Sequence, residues 1–178
     1  MKKYIAILRG INVGGKRKIL MADLQQLLNK NGFKNCSTYI QSGNVLFLSD
    51  KTVLEIEKEI KQTIFKKYGF DVPVLVRTVN EIENVFHNNP FLPEQADINK
   101  LYVAFLAEIP SDENLEKLNA IHFDNANFEI HGKHVFMQYY TKSSDSKLTN
   151  NLIENKLKVT ATSRNWKTVT KLFELSTT

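Results

Sequence analysis

Ser37-Thr38-Tyr39-Ile40-Gln41 and Val45-Leu46-Phe47-Leu48, separated by Ser42-Gly43-Asn44, form the stretch on which the fold turns. Two β-prone runs with a Gly-Asn between them read as a hairpin. Upstream, Tyr4-Ile5-Ala6-Ile7-Leu8 is a short apolar run closed by Arg9-Gly10, as a buried strand would be. Between run and hairpin, Leu20, Leu24, Leu27 and Leu28 share a face, predicting a helix over 21–30 that stops at Asn31-Gly32-Phe33. Downstream, Val53, Ile56, Ile60 and Ile64 predict a second helix over 51–68, with Glu57 and Lys61 able to pair on its wet side. Tyr68-Gly69-Phe70 ends that helix and Val74–Thr78 reads as a strand. The order β-α-β-β-α-β predicts a ferredoxin-like plait, an antiparallel sheet with both helices on one face.

Residues 80–99 read as a linker with a short helix around 81–86, followed by Asn88-Asn89-Pro90-Phe91-Leu92-Pro93-Glu94. The pattern then restarts: strand 101–106, helix 112–121, strands 127–130 and 135–140 around His131-Gly132-Lys133-His134, helix 147–157 and strand 159–162. A last helix over 164–175, capped by Thr162 or Ser163, closes the chain. The expected fold is therefore α+β, two tandem ferredoxin-like units over 1–79 and 100–178 plus a terminal helix.

Composition excludes several classes. The 178 residues are 42% hydrophobic and 24% charged, which fits a packed core and not a disordered or collagen-like chain. One cysteine, Cys36, cannot make an intramolecular bridge or a CxxC pair. No apolar run reaches the roughly 18 residues of a membrane span, and the start Met1-Lys2-Lys3-Tyr4-Ile5 lacks the long apolar stretch of a secretory leader. A cytosolic protein without a membrane partner is expected. The net charge of +5 conceals a division: residues 1–78 carry fourteen bases against six acids, residues 79–178 ten against thirteen. Lys2, Lys3, Arg9, Lys16, Arg17 and Lys18 fall in the first eighteen residues with no acid among them.

Chemistry is therefore sought in Arg9-Gly10-Ile11-Asn12-Val13-Gly14-Gly15-Lys16-Arg17. It is one residue short of the phosphate-cradling GxxxxGK[ST] and has Arg17 where the hydroxyl ligand of magnesium should be, which argues against nucleotide hydrolysis. Adjacent glycines allow close backbone approach, and Lys16 and Arg17 before a helix favour an anion. A glycine turn that merely reverses the chain is the plain alternative. In the expected topology this loop and the Gln41-Ser42-Gly43-Asn44 turn leave the same end of the sheet, which would add Gln41, Ser42 and Asn44 to Arg9, Asn12, Gly14, Gly15, Lys16 and Arg17. Arg77 falls at the other end. Arg164 and Asn165, at the start of the last helix, are candidates to close the site from the second unit.

An anionic small molecule or nucleotide is the ligand class these residues fit. Sheet-face RNA binding is poorly supported, because the hairpin strand offers only Phe47 where the RNA-recognition module displays several aromatics. Two further readings stay open, a small transferase or hydrolase with a site between the units and a protein-interaction module. His131 and His134 would face each other across their turn, but with no third ligand they read as surface histidines, not as a metal site.

Arg9–Lys16, Tyr39–Val45, Val76-Arg77-Thr78, Asn89-Pro90-Phe91 and Arg164-Asn165-Trp166-Lys167-Thr168-Val169, in this order, resemble the bacterial family called domain of unknown function 1697. The resemblance runs over essentially the whole chain and implies two ferredoxin-like units. It implies no reaction, cofactor or catalytic residue, and Lys167 stands where the family pattern leads one to expect Asn.

Overall fold

The structure, a computed structural model, describes residues 1–93 and 96–178; Glu94 and Gln95 of the expected linker lie outside the described residues. The elements are β1 (Lys2–Leu8), α1 (Met21–Lys30), β2 (Lys34–Tyr39), β3 (Asn44–Ser49), α2 (Val53–Tyr68), β4 (Val74–Thr78) and α3 (Val79–His87). After them come β5 (Leu101–Leu106), α4 (Asp112–Asn119), β6 (Ala126–His131), β7 (His134–Tyr139), α5 (Asn150–Leu157), β8 (Ala161–Asn165) and α6 (Trp166–Thr177). The fold is α+β with two four-stranded sheets, ordered β2-β3-β1-β4 and β6-β7-β5-β8, and every pairing is antiparallel.

Local chemistry explains the helix bounds. Thr52 caps α2 in a reciprocal box with Glu55, whose carboxyl the Thr52 hydroxyl and N–H hold below its ordinary range. Gly69, left-handed at φ 77°, closes the same helix with its N–H on the Phe65 carbonyl at 2.8 Å. At the end of α1, Gly32 turns the chain at φ 94° so that the Phe33 N–H reaches back to the Leu28 carbonyl at 3.2 Å, and the Phe33 ring is buried. Glu57 does not use Lys61: its carboxylate accepts the Val76 N–H at 2.8 Å, while Lys61 pairs with Asp71 at 3.2 Å.

Strand alternation sends Tyr4, Ala6 and Leu8 into one core with Leu24 and Leu28 of α1 and Ile56, Ile60 and Ile64 of α2. In the second sheet Ala104 and Leu106 do the same with Leu118, Ile153 and Leu157. The opposite faces are also buried: Ile5, Ile7, Leu46 and Leu75 in the first sheet, Val103, Phe105, Phe136 and Thr162 in the second.

The central strands of the two sheets match in register. Tyr4-Ile5-Ala6-Ile7-Leu8 and Tyr102-Val103-Ala104-Phe105-Leu106 occupy equivalent places; Ile5 faces Arg77 where Val103 faces Arg164, and Ala6 faces Val45 where Ala104 faces Val135. The Leu8 N–H bonds the Gly43 carbonyl at 2.8 Å and the Leu106 N–H bonds that of Lys133 at 2.9 Å.

Two boundaries differ from the sequence reading. Arg164 and Asn165 belong to β8, paired with Val103 and Tyr102, and the cap of α6 is Asn165, whose Oδ1 accepts the Thr168 N–H at 2.9 Å. Thr162 and Ser163, good caps by type, are strand residues here. The compact units are Met1–Glu83 with Leu172–Thr178, and Asn84–Lys171.

Candidate functional site

The loop between β1 and α1 is itself a small hairpin. The Val13 carbonyl accepts the Lys16 N–H at 3.0 Å, the Arg17 carbonyl accepts the Asn12 N–H at 3.2 Å, and Val13 and Lys16 form a β-bridge. Gly14 and Gly15, at φ 57° and 74°, are the two left-handed positions of a type I′ turn. The paired glycines are thus explained by chain reversal, and they lie at the hairpin tip rather than beneath a ligand against the helix. At neither would an added Cβ meet any atom within 4 Å.

Asn12 holds the hairpin in place. Its Nδ2 donates to the Ile19 carbonyl at 2.9 Å and to the Gln41 carbonyl at 2.8 Å, while its Oδ1 accepts the Ile19 N–H at 2.9 Å. One amide thus closes the loop on itself and ties it to the β2–β3 turn, bringing together the two segments that topology predicted to be neighbours. Asn12 sits at φ 56°, a conformation Asn tolerates better than most residues.

Gly43 makes the same junction from the other side. At φ 84°, its Cβ position would lie 2.6 Å from Ile11 Cδ1 and 2.8 Å from Leu8 Cβ, so only glycine lets Ile11 pack over the turn. Asn44 is fully buried, its Nδ2 donating to the Tyr39 carbonyl at 3.0 Å and the Ser42 Oγ at 3.1 Å. These bonds hold the turn. Gln41 is exposed and Ser42 half-buried beside the hairpin.

Lys16, Arg17 and Lys18 are exposed, and none forms an ion pair among the described residues. Arg17, at φ 48°, lays its guanidinium 3.5 Å from the Cβ position of Gly10, and Arg9 is half-buried at the loop's root. Ile40, in the turn, holds φ 51°, a strained setting for a β-branched side chain. Three of the five non-glycine residues at positive φ, Asn12, Arg17 and Ile40, therefore fall in these two adjoining segments.

The remaining candidates, Arg164 and Asn165, lie at the end of β8. Arg164 is buried; its guanidinium donates to Thr162 Oγ1 and the Ser163 carbonyl, both at 2.9 Å, and burial pulls its pKa down to about 10. Asn165 caps α6. Burial pushes the Cys36 thiol up to about 11, which keeps it protonated and unreactive near neutrality. His131 lies 3.0 Å from Glu129, and among the described residues no three His, Cys, Asp or Glu side chains gather as metal ligands. No helix among them is long and apolar enough to cross a membrane.

A family model described as Protein of unknown function (DUF1697) matches residues 1–136. The chain belongs to this family. The match covers the glycine hairpin, the 39–45 turn, Val76-Arg77-Thr78 and Asn89-Pro90-Phe91, and ends before Arg164–Val169. No curated protein matches the sequence. A conserved bacterial protein of Streptococcus pneumoniae, SP0830, has a solved structure that is 23% identical, with a TM-score of 0.82 over 100% of this chain and 99% of that one. At this identity the likeness is one of fold.

Proposed function

We propose that this protein binds a small anionic ligand, phosphate- or carboxylate-bearing, on the surface formed by the 9–18 hairpin and the 40–43 turn. The observation that carries this reading is the coincidence, in two segments tied by Asn12, of strained left-handed backbone with Lys16, Arg17 and Lys18 outside any ion pair. Strain of this kind costs of order 1–3 kcal/mol per residue and persists where surrounding structure enforces it, commonly at binding sites. Gln41 and Ser42 supply the neutral hydrogen-bonding groups. We also read each unit as a ferredoxin-like plait and the chain as a tandem duplication, on the strength of the matched element order, sheet order and Tyr-x-Ala-x-Leu strands.

Titration calorimetry against nucleotides, sugar phosphates and dicarboxylates tests the site. One class should bind, and Lys16→Ala/Arg17→Ala should weaken it at least tenfold at an unchanged melting temperature. Equal affinity in the double variant, or no binding by any compound, would sink the reading.

A further inference from the structure

The wet face of α2 does not look like an ordinary solvated helix surface. Leu54, Lys58, Lys61 and Phe65 recur at i, i+4, i+7 and i+11 and form one stripe, with Leu54 77% and Phe65 54% exposed. Lys58, Lys61, Gln62, Phe65, Lys66 and Asp71 line a concavity of about 530 Å³, a volume within the range of ligand sites. Three lysines share that concavity with one exposed aromatic ring, and the single acid lining it, Asp71, is already paired with Lys61. Lys58 and Lys66 form no ion pair among the described residues.

We propose that this face docks single-stranded nucleic acid, with a base stacked on Phe65 and phosphates held by Lys58, Lys61 and Lys66. An aromatic face among cations is the arrangement that binds single strands without sequence preference. Lys58 and Lys66 stand about 12 Å apart along the helix, so the charge is spread along a track instead of gathered for one anion. A duplex keeps its bases stacked and offers Phe65 nothing to stack on. The face also connects to the hairpin: the loop that follows α2 reaches β1 through the Arg9 N–H on the Pro73 carbonyl at 3.0 Å. Lys66 in the last turn of α2 and Lys16, Arg17 and Lys18 thus belong to the same end of the first sheet. The inference extends the anionic-ligand reading, since the same cationic hairpin would receive the strand where it leaves α2.

The test is fluorescence anisotropy of the full chain with labelled U12 and dT12, alongside calorimetry with a nucleoside triphosphate. With six cations engaged, log affinity should fall with log salt at a slope of about −4, a loss of roughly 300-fold between 50 and 200 mM. Phe65→Ala should weaken U12 about tenfold with the slope unchanged, and Lys58→Ala/Lys61→Ala/Lys66→Ala should flatten the slope by about two. Phe65 is on the surface, so its variant should fold as the parent does, with the melting temperature as check. Unchanged U12 affinity in Phe65→Ala overturns the inference, and so does polyglutamate of equal length binding as tightly as U12, which would mark a face for acidic proteins. If the triphosphate binds through Lys16 and Arg17 but U12 binds no tighter, this inference falls while the hairpin site stands; if neither binds, both fall.

Discussion

The segments that follow β1 and β5 leave equivalent places in two sheets of the same order, and they share almost nothing else. After Leu8 the chain makes a basic hairpin of glycines and left-handed residues before α1 begins at Met21. After Leu106 it needs only Ala107-Glu108-Ile109-Pro110-Ser111, acidic and short, to reach α4 with Ser111 as its cap. The strands before them keep Tyr, Ala and Leu in register, so like strands are followed by unlike loops. A basic hairpin after one strand and a short acidic link at the matching place after the other mark the first unit as the place to look for binding.

Seven substitutions at six positions press on that comparison. Gly43→Ala should be the most damaging, costing about 3 kcal/mol or more in urea unfolding, because a left-handed alanine there would also collide with Ile11 and Leu8. Gly132→Ala, in the corresponding turn of the second unit, also sits at positive φ but opens on empty space, and should cost only about 1 kcal/mol. Equal losses would mean that the close approach at Gly43 is unimportant.

Next come the two buried arginines at matched register. Arg77 lies 4.0 Å from Glu81 and is held charged by Glu81 and Glu57 against the downward pull of burial. Arg77→Met should cost about 3 kcal/mol because it removes the buried cation facing Glu81 and Glu57, and Arg164→Met should cost about as much because its guanidinium is also buried and bonded to Thr162 and Ser163. A difference between them of more than about 2 kcal/mol in thermal melts would show that the two positions are not energetic equivalents.

Asn12→Ala should cost about 2 kcal/mol through three lost hydrogen bonds and should abolish anion binding, with raised hydrogen exchange confined to residues 9–19 and 40–43. Asn12→Gly, which keeps the left-handed backbone but not the amide, should behave nearly as badly; wild-type protection in that variant would break the idea of a tie between the segments. The smallest effect has the opposite sign. Ile40→Gly should stabilise by about 1 kcal/mol, since the second unit already places a glycine, Gly132, at the left-handed position of its own turn. A destabilised variant would show that the exposed Ile40 side chain packs usefully.

The sequence made the scaffold legible wherever one signal dominated. Apolar runs marked β1, β4 and β5, and the leucine spacing marked α1 to the residue. It failed where polar residues fill a strand: Arg164 reads as a helix start because a cation inside a sheet gives no alternation signal, and Thr162 and Ser163 look like caps. The start of β2 was missed because Lys34 and Asn35 are exposed on an edge strand with a register shift. At the site, the meeting of loop and turn followed from topology, but Asn12 as its cause did not, since three hydrogen bonds from one amide leave no trace in composition. Glycines around an asparagine were the available hint, because Asn visits left-handed backbone more readily than other residues.

The Gly14-Gly15 tip carries a last consequence. Because side chains added there meet nothing, residues inserted between the two glycines would lengthen the hairpin without disturbing Asn12 or the turn beneath it. The reach of the basic arm can therefore be altered independently of its anchorage, so that a spectroscopic reporter spliced into the tip would follow ligand arrival from outside the fold.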